Sequence, residues 1–131
     1  MIGLDTNVLV RYFTQDDPEQ TRKANAVIER TVAAGEFCSI SCIVLCELMW
    51  VLRGAYGYEK PEVIEVLEKM LATSQFSIES KDLVRQALRD YGGGEGDFSD
   101  YLLGWRNHET GSEKTVTFDQ NLKKSELFTV L

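Results

Sequence analysis

Acidic side chains at four places in the chain invite a chemical reading. Asp5 closes a short apolar run at the N-terminus, and Glu47 is the only charged residue between Phe37 and Leu52. Asp119 ends the run Thr117-Phe118, and the segment EGDFSDYLLG places Glu95, Asp97 and Asp100 where an apolar helix begins. Carboxylates without histidine, cysteine or lysine partners suit hard cations, because Mg²⁺ and Mn²⁺ take oxygen ligands and keep several waters. A site of that kind activates water and steadies charge on phosphate oxygens, the arrangement of metal-dependent phosphodiester hydrolysis.

Each acid also has a purely structural explanation. Asp97 as an N-cap with Asp100 in the first turn resembles a capping box, a feature that stabilises a helix by about 1 kcal/mol. Asp5 and Asp119 can bond their own backbone in turns. Glu47, on a helix that reads as apolar nearly all the way round, is expected to be buried, which is costly unless an arginine such as Arg53 or Arg85 pairs with it. Glu95 reads as solvent-facing. Capping and turns explain each acid alone better than they explain all of them together.

The remaining candidates for chemistry are weak. The single histidine, His108, lies in a polar stretch with no serine partner, so a Ser-His-Asp triad is disfavoured and a surface position expected. No glycine-rich phosphate loop with lysine is present, which argues against ATP or GTP binding. Cys38, Cys42 and Cys46 are an odd number with apolar residues between them, so core packing is preferred over zinc or a disulfide framework.

These residues need elements to hold them. A chain of 131 residues, 44% hydrophobic and 27% charged, has the size and composition of one globular domain, residues 1–131. No run is long enough for a membrane span and the N-terminus lacks a basic signal-peptide start, so a cytoplasmic location is expected. The net charge of −7 argues against a generic electrostatic nucleic-acid binder but not against a nucleic-acid enzyme, since acids of a metal site inflate the count.

Short strands are expected at Met1–Leu4, Phe37–Ile40, Gln75–Ile78, Lys114–Asp119 and, less clearly marked, Leu127–Val130. Between them, helices are expected from Pro18 to the stop at Gly35, from Ile43 to Leu52 with Ser41 as cap, from Pro61 to Leu71, and from Lys81 to Tyr91. A last one runs from the EGDFSD segment to about Asn107, with Phe98, Tyr101, Leu102 and Trp105 on its buried face. Alternation of strands and helices predicts a single three-layer α/β/α domain around a central parallel sheet of four to five strands, Rossmann-like in plan. Ligands of such sheets bind beyond the strand C-termini, where Asp5 and Asp119 are placed.

Leu4-Asp5-Thr6-Asn7, a lone glutamate in the helix after the second strand, Asp97-Phe98-Ser99-Asp100 and Thr117-Phe118-Asp119 together resemble the PIN (PilT N-terminus) domain, and most of all its VapC-type toxins, over essentially the whole chain. The resemblance implies a Mg²⁺- or Mn²⁺-dependent endoribonuclease acting on RNA, usually a homodimer, inhibited by a cognate antitoxin. It implies that Asp5, Glu47, Asp100 and Asp119 form the acidic quartet and that Asp97 occupies an often acidic position. Asp5 and Asp100 would be direct metal ligands, with Asn7 and Thr117 orienting the carboxylates. Tyr101 departs from the family pattern, which has a small residue there. Arg11, Lys23, Arg53 and Lys123 are candidates for phosphate contact, and Trp50, Tyr56 and Tyr58 for a protein interface. The same acids would serve a PIN-type nuclease of RNA maturation or one acting on DNA, and a non-catalytic binding module is a third possibility.

Overall fold

A computed structural model describes all residues, Met1–Leu131. The elements in order are β1 (Ile2–Gly3), α1 (Thr6–Thr14), α2 (Pro18–Ala33), β2 (Cys38–Ile40), α3 (Cys42–Gly54), α4 (Lys60–Ala72), β3 (Phe76–Ile78), α5 (Lys81–Gly93), α6 (Phe98–Glu109), β4 (Thr115–Thr117), a 3₁₀ turn (Gln120–Leu122) and β5 (Phe128–Val130). Strands and helices alternate as the sequence pattern requires, and every strand pairing is parallel, so the chain is an α/β protein. The five expected strands all form, but they hydrogen-bond as a three-stranded sheet in the order β1-β2-β3 and a separate pair β4-β5, not as one ladder. Strands of two or three residues offer few ladder bonds, which is consistent with a divided pairing.

The chain folds as two compact units, Met1–Glu79 and Ser80–Leu131. In the first, helix starts and stops follow local chemistry. Asp17 accepts from Gln20 N–H at 3.0 Å and Pro18 takes the first helical position of α2. That helix ends with Gly35 in the left-handed region (φ 73°), with Glu36 N–H reaching back to Thr31 O at 3.0 Å. Ser41 caps α3 through Val44 N–H at 3.3 Å. The core of this unit gathers Leu9 and Val10 of α1, Leu45, Leu48 and Leu52 of α3, Val63, Leu67 and Met70 of α4, and Cys38 and Ile40 of β2.

Helix α3 departs from its expected burial. Leu45, Leu48, Met49 and Leu52 face inward, but Ile43 is 73% exposed, Trp50 56% exposed, and Glu47 lies exposed between them on the same stripe. An apolar sequence all round the helix hid an amphipathic placement, because only one face meets the core. Tyr56, by contrast, is half-buried in a polar network. Its hydroxyl donates to Asp16 Oδ2 at 2.7 Å and accepts from Arg11 Nη1 at 2.8 Å, and Arg11 also bonds Gln20 at 2.7 Å.

In the second unit α5 and α6 pack together, and α6 buries Phe98, Tyr101, Leu102 and Gly104 while Trp105 is half-buried. Helix α5 continues two residues further than expected, through Gly92 and Gly93, before Gly94 ends it. The bulk of Tyr101 is accommodated by glycines that precede α6. A Cβ at Gly94 would overlap the Tyr101 hydroxyl and approach the Asp90 carbonyl, and one at Gly96 would overlap Leu122. The Tyr101 hydroxyl accepts from the buried Gly96 N–H at 3.1 Å. Gly94→Ala is expected to cost about 1–3 kcal/mol by overpacking. In urea unfolding that loss should be partly recovered when Tyr101→Phe removes the overlapped oxygen, a coupling that independent sites would not show.

Candidate functional site

The sequence-derived acids fall into two groups, one in each unit. In the first, β1 ends at Gly3, the buried Leu4 follows, and Asp5 is the N-cap of α1 with extended backbone. Its exposed carboxylate makes no capping hydrogen bond, so the turn-forming explanation does not account for it. Thr6, which follows, is only 6% exposed, and its hydroxyl donates to Glu47 Oε1 at 3.1 Å. Glu47 is therefore neither buried nor paired with an arginine. It is an exposed carboxylate with one oxygen held by a threonine and the other open.

Thr6 holds the Glu47 carboxylate, a contact that no charge pattern announces. It sits in the same Asp5-Thr6-Asn7 turn, and a buried hydroxyl at a helix start must find an acceptor. Asn7 is exposed in the first turn of α1. Thr117 contacts the backbone of Asp119, accepting its N–H at 3.1 Å through Oγ1, and not its carboxylate.

In the second unit Asp97 and Asp100 do form the expected box. Asp97 is the N-cap of α6, and Asp100 Oδ2 accepts the Asp97 N–H at 3.0 Å. Asp119 caps the 3₁₀ turn through Asn121 N–H at 2.9 Å. Capping does not exhaust their chemistry. Burial pushes the Asp100 carboxyl up from its ordinary value; the hydrogen bond from Asp97 N–H opposes this, and the charges of Asp97 and then Asp119 add to the rise. The structure thus draws Asp97, Asp100 and Asp119 into one electrostatically coupled group, with Asp97 the exposed member and Asp100 the half-buried one. Glu95, two residues upstream, is exposed.

The other chemical candidates resolve differently. All three cysteines are free thiols; Cys38 is buried, while Cys42 and Cys46 are half-buried on α3. Burial, reinforced by Cys42 and Glu47, pushes the Cys46 thiol up to about 11, so it carries a proton at neutral pH and is a poor nucleophile. His108 is exposed, edge-on to the Trp105 ring at 5.8 Å. Among the candidate phosphate contacts, Arg11 is committed to Tyr56, Asp16 and Gln20, and Lys23 to Glu19 at 3.5 Å along its helix. Arg53 and Lys123 are exposed.

An α/β chain with an acid at the end of its first strand and a coupled acidic group at the start of a late helix has the outline of the class anticipated from sequence. The family model for the PIN domain matches residues 2–126, and the chain belongs to the PIN domain family. It is 28% identical over 121 residues to the VapC ribonuclease of Aquifex aeolicus (strain VF5), an alignment covering 92% of this chain and 89% of that protein. No helix is long and apolar enough to cross a membrane.

In neither unit do three or more His, Cys, Asp or Glu side chains stand grouped as a finished metal cage. The donor chemistry nevertheless fits a hard divalent cation: the donors are oxygens, and the ionised Asp100 is disfavoured by burial and by like charge that a cation would offset. A raised carboxyl pKa means that ionising Asp100 costs folding stability above its ordinary value of 3.8 and costs nothing below it. The penalty enters as the pH rises through 3.8 to the folded-state value and stays constant above that. Asp100→Asn should therefore raise the Tm of the metal-free protein at pH 7, with the gain shrinking toward zero at pH 3. Thermal unfolding of both proteins in chelator at the two pH values checks this.

Proposed function

We propose that this PIN-domain chain is a Mg²⁺- or Mn²⁺-dependent endoribonuclease that hydrolyses RNA phosphodiester bonds, and that it is the toxin of a toxin–antitoxin pair. The observation that carries the reading is the environment of Asp100, a half-buried carboxyl at a helix start that accepts the Asp97 N–H and whose ionisation is opposed by burial and by the charges of Asp97 and Asp119. Membership of the PIN family and the likeness to a VapC ribonuclease support it.

In this reading residues 1–131 act as one nuclease domain whose catalysis needs Asp5, Glu47, Asp97, Asp100 and Asp119. Asp5, uncommitted to capping, and Asp100 are the metal ligands. When bound, a divalent ion supplies Lewis acidity toward water and the phosphate oxygens. Thr6 fixes one oxygen of Glu47, leaving the other to accept a proton from water. Asp119, at the start of the 3₁₀ turn, adds negative charge felt by Asp100 and so favours a cation there. Asp97 fixes the rotamer of Asp100 through its backbone N–H. The working form is a cytoplasmic homodimer restrained by a cognate antitoxin protein.

RNA cleavage should require Mg²⁺ or Mn²⁺, stop on addition of chelator, and fall about a hundredfold or more in Asp5→Asn and in Asp100→Asn. Undiminished cleavage by both variants, with folding intact by circular dichroism, would end the reading. Induction of the wild type, but not of Asp100→Asn, should arrest growth, and coexpression of the neighbouring antitoxin should relieve it.

Metal binding should also be visible without any substrate. Mg²⁺ at a hundred times its dissociation constant stabilises the fold that binds it by about 2.7 kcal/mol. The Tm of the wild type should therefore climb with Mg²⁺ concentration, while that of Asp100→Asn responds much less.

A further inference from the structure

The second unit holds a cleft of about 470 Å³ that none of the roles assigned above uses. Its rim carries two cations, Arg89 near the end of α5 and Lys124 after the 3₁₀ turn, and neither is held in an ion pair. Trp105 and Tyr101 supply aromatic wall, and Glu95 and Glu126 add carboxylates at the edge. The aromatic wall is fixed in advance: Trp105 Nε1 donates to Asp90 Oδ2 at 2.7 Å, and the Tyr101 hydroxyl holds the Gly96 N–H. Gly93 leaves the backbone open on one side, whereas the Tyr101 hydroxyl fills the space beside Gly94.

A volume of this size falls in the range of small-ligand sites. Its lining is mixed. Two unpaired cations suit a phosphate, aromatic and apolar walls suit a planar ring, and carboxylates at the edge suit a ring that presents N–H donors. A nucleotide has all three features; a free anion has only the first, and an apolar ligand only the second. The cleft also adjoins the coupled acids along the chain: Glu95 lies two residues before Asp97, and Asn121, which lines the cleft, donates its N–H to Asp119.

We propose that this cleft is a subsite for one unpaired nucleotide of the RNA substrate, flanking the phosphate that is cut. The base lies against Trp105, backed by the buried Tyr101, its N–H edge faces Glu95 and Glu126, and its phosphate meets Arg89 and Lys124. The assignment deepens the ribonuclease reading and rests on it, yet it is measurable without cleavage.

The full chain carrying Trp50→Phe has Trp105 as its single tryptophan and therefore reports on the cleft. In metal-free buffer with chelator, guanosine 5′-monophosphate should quench Trp105 fluorescence saturably at millimolar concentration or below. Arg89→Ala combined with Lys124→Ala, both exposed positions, should weaken that binding about tenfold while leaving the Tm unchanged. The same protein should cut RNA more weakly through a raised KM and not a lowered kcat. Three results overturn the subsite: no saturable quenching, an unchanged dissociation constant in the double variant, or equal quenching by inorganic phosphate. Asp100→Asn, which lies outside the cleft lining, separates this proposal from the one beneath it. That variant should bind nucleotide unchanged while losing cleavage; a wild-type chain that binds nucleotide but cuts no RNA removes the nuclease reading, while a wild-type chain that cuts RNA but binds no nucleotide removes the subsite.

Discussion

A carboxyl carried into partial burial at the start of α6, with two further acids acting on it, is the constraint on which the second unit's site depends. Phe98, Tyr101 and Leu102 must face the core, and this fixes the rotation of the helix. Asp100, between Phe98 and Tyr101, is thereby carried to the edge of the buried region, where water screens it only partly. Its single backbone hydrogen bond from Asp97 N–H compensates for some of the lost hydration. Asp97 and Asp119 then add repulsion in place of relief. A fold selected only for stability would have little reason to keep a half-buried acid opposite two others, since neutral caps such as asparagine or serine satisfy the same helix N–H groups without the charge. The arrangement makes sense when a cation completes it.

Tyr101 shows how a bulky side chain is absorbed at a helix start. A large residue immediately after Asp100 needs space on the side where the chain enters the helix, and Gly94 and Gly96 provide it. In return the tyrosine hydroxyl satisfies a buried backbone N–H that would otherwise lack an acceptor, at a position where such a loss costs about 1–3 kcal/mol. The same ring lines the cleft, so one side chain both stabilises the approach to Asp100 and shapes the surface beside it.

Most elements were legible because their signals are local. Asp17-Pro18, Ser41, Gly35 and the Asp97–Asp100 pair act within a few residues, and each does in the structure what its chemistry suggests. Features set by non-local packing were not legible. Which face of α3 meets the core cannot be read from a helix apolar on all sides, so Glu47 was expected to be buried and is exposed. Its partner proved to be a threonine 41 positions away, a short hydroxyl that carries no charge signature. The grouping of strands into a sheet of three and a pair likewise depends on register between distant segments. The acids themselves stood out because carboxylates in apolar surroundings are costly wherever they lie.

An acidic protein handling a polyanion looks paradoxical only if charge is averaged over the surface. The chain carries 21 acids and 14 lysines and arginines, and several of the cations are already occupied. Arg11 is locked to Tyr56 and Asp16, while Lys23 and Lys69 pair with Glu19 and Glu65 along their own helices. Long-range attraction of RNA to such a surface would be weak, and salt at physiological strength screens beyond about 8 Å in any case. Recognition must then come from a few contacts at close range. Under the proposed function, a divalent ion at these acids would invert the local sign of the potential where the phosphate arrives, and unpaired cations next to an aromatic wall would hold a neighbouring nucleotide. Such a protein would bind RNA poorly in general and well only where an unpaired nucleotide and a reachable phosphate coincide, so its negative surface contributes to selectivity by discouraging every other mode of binding.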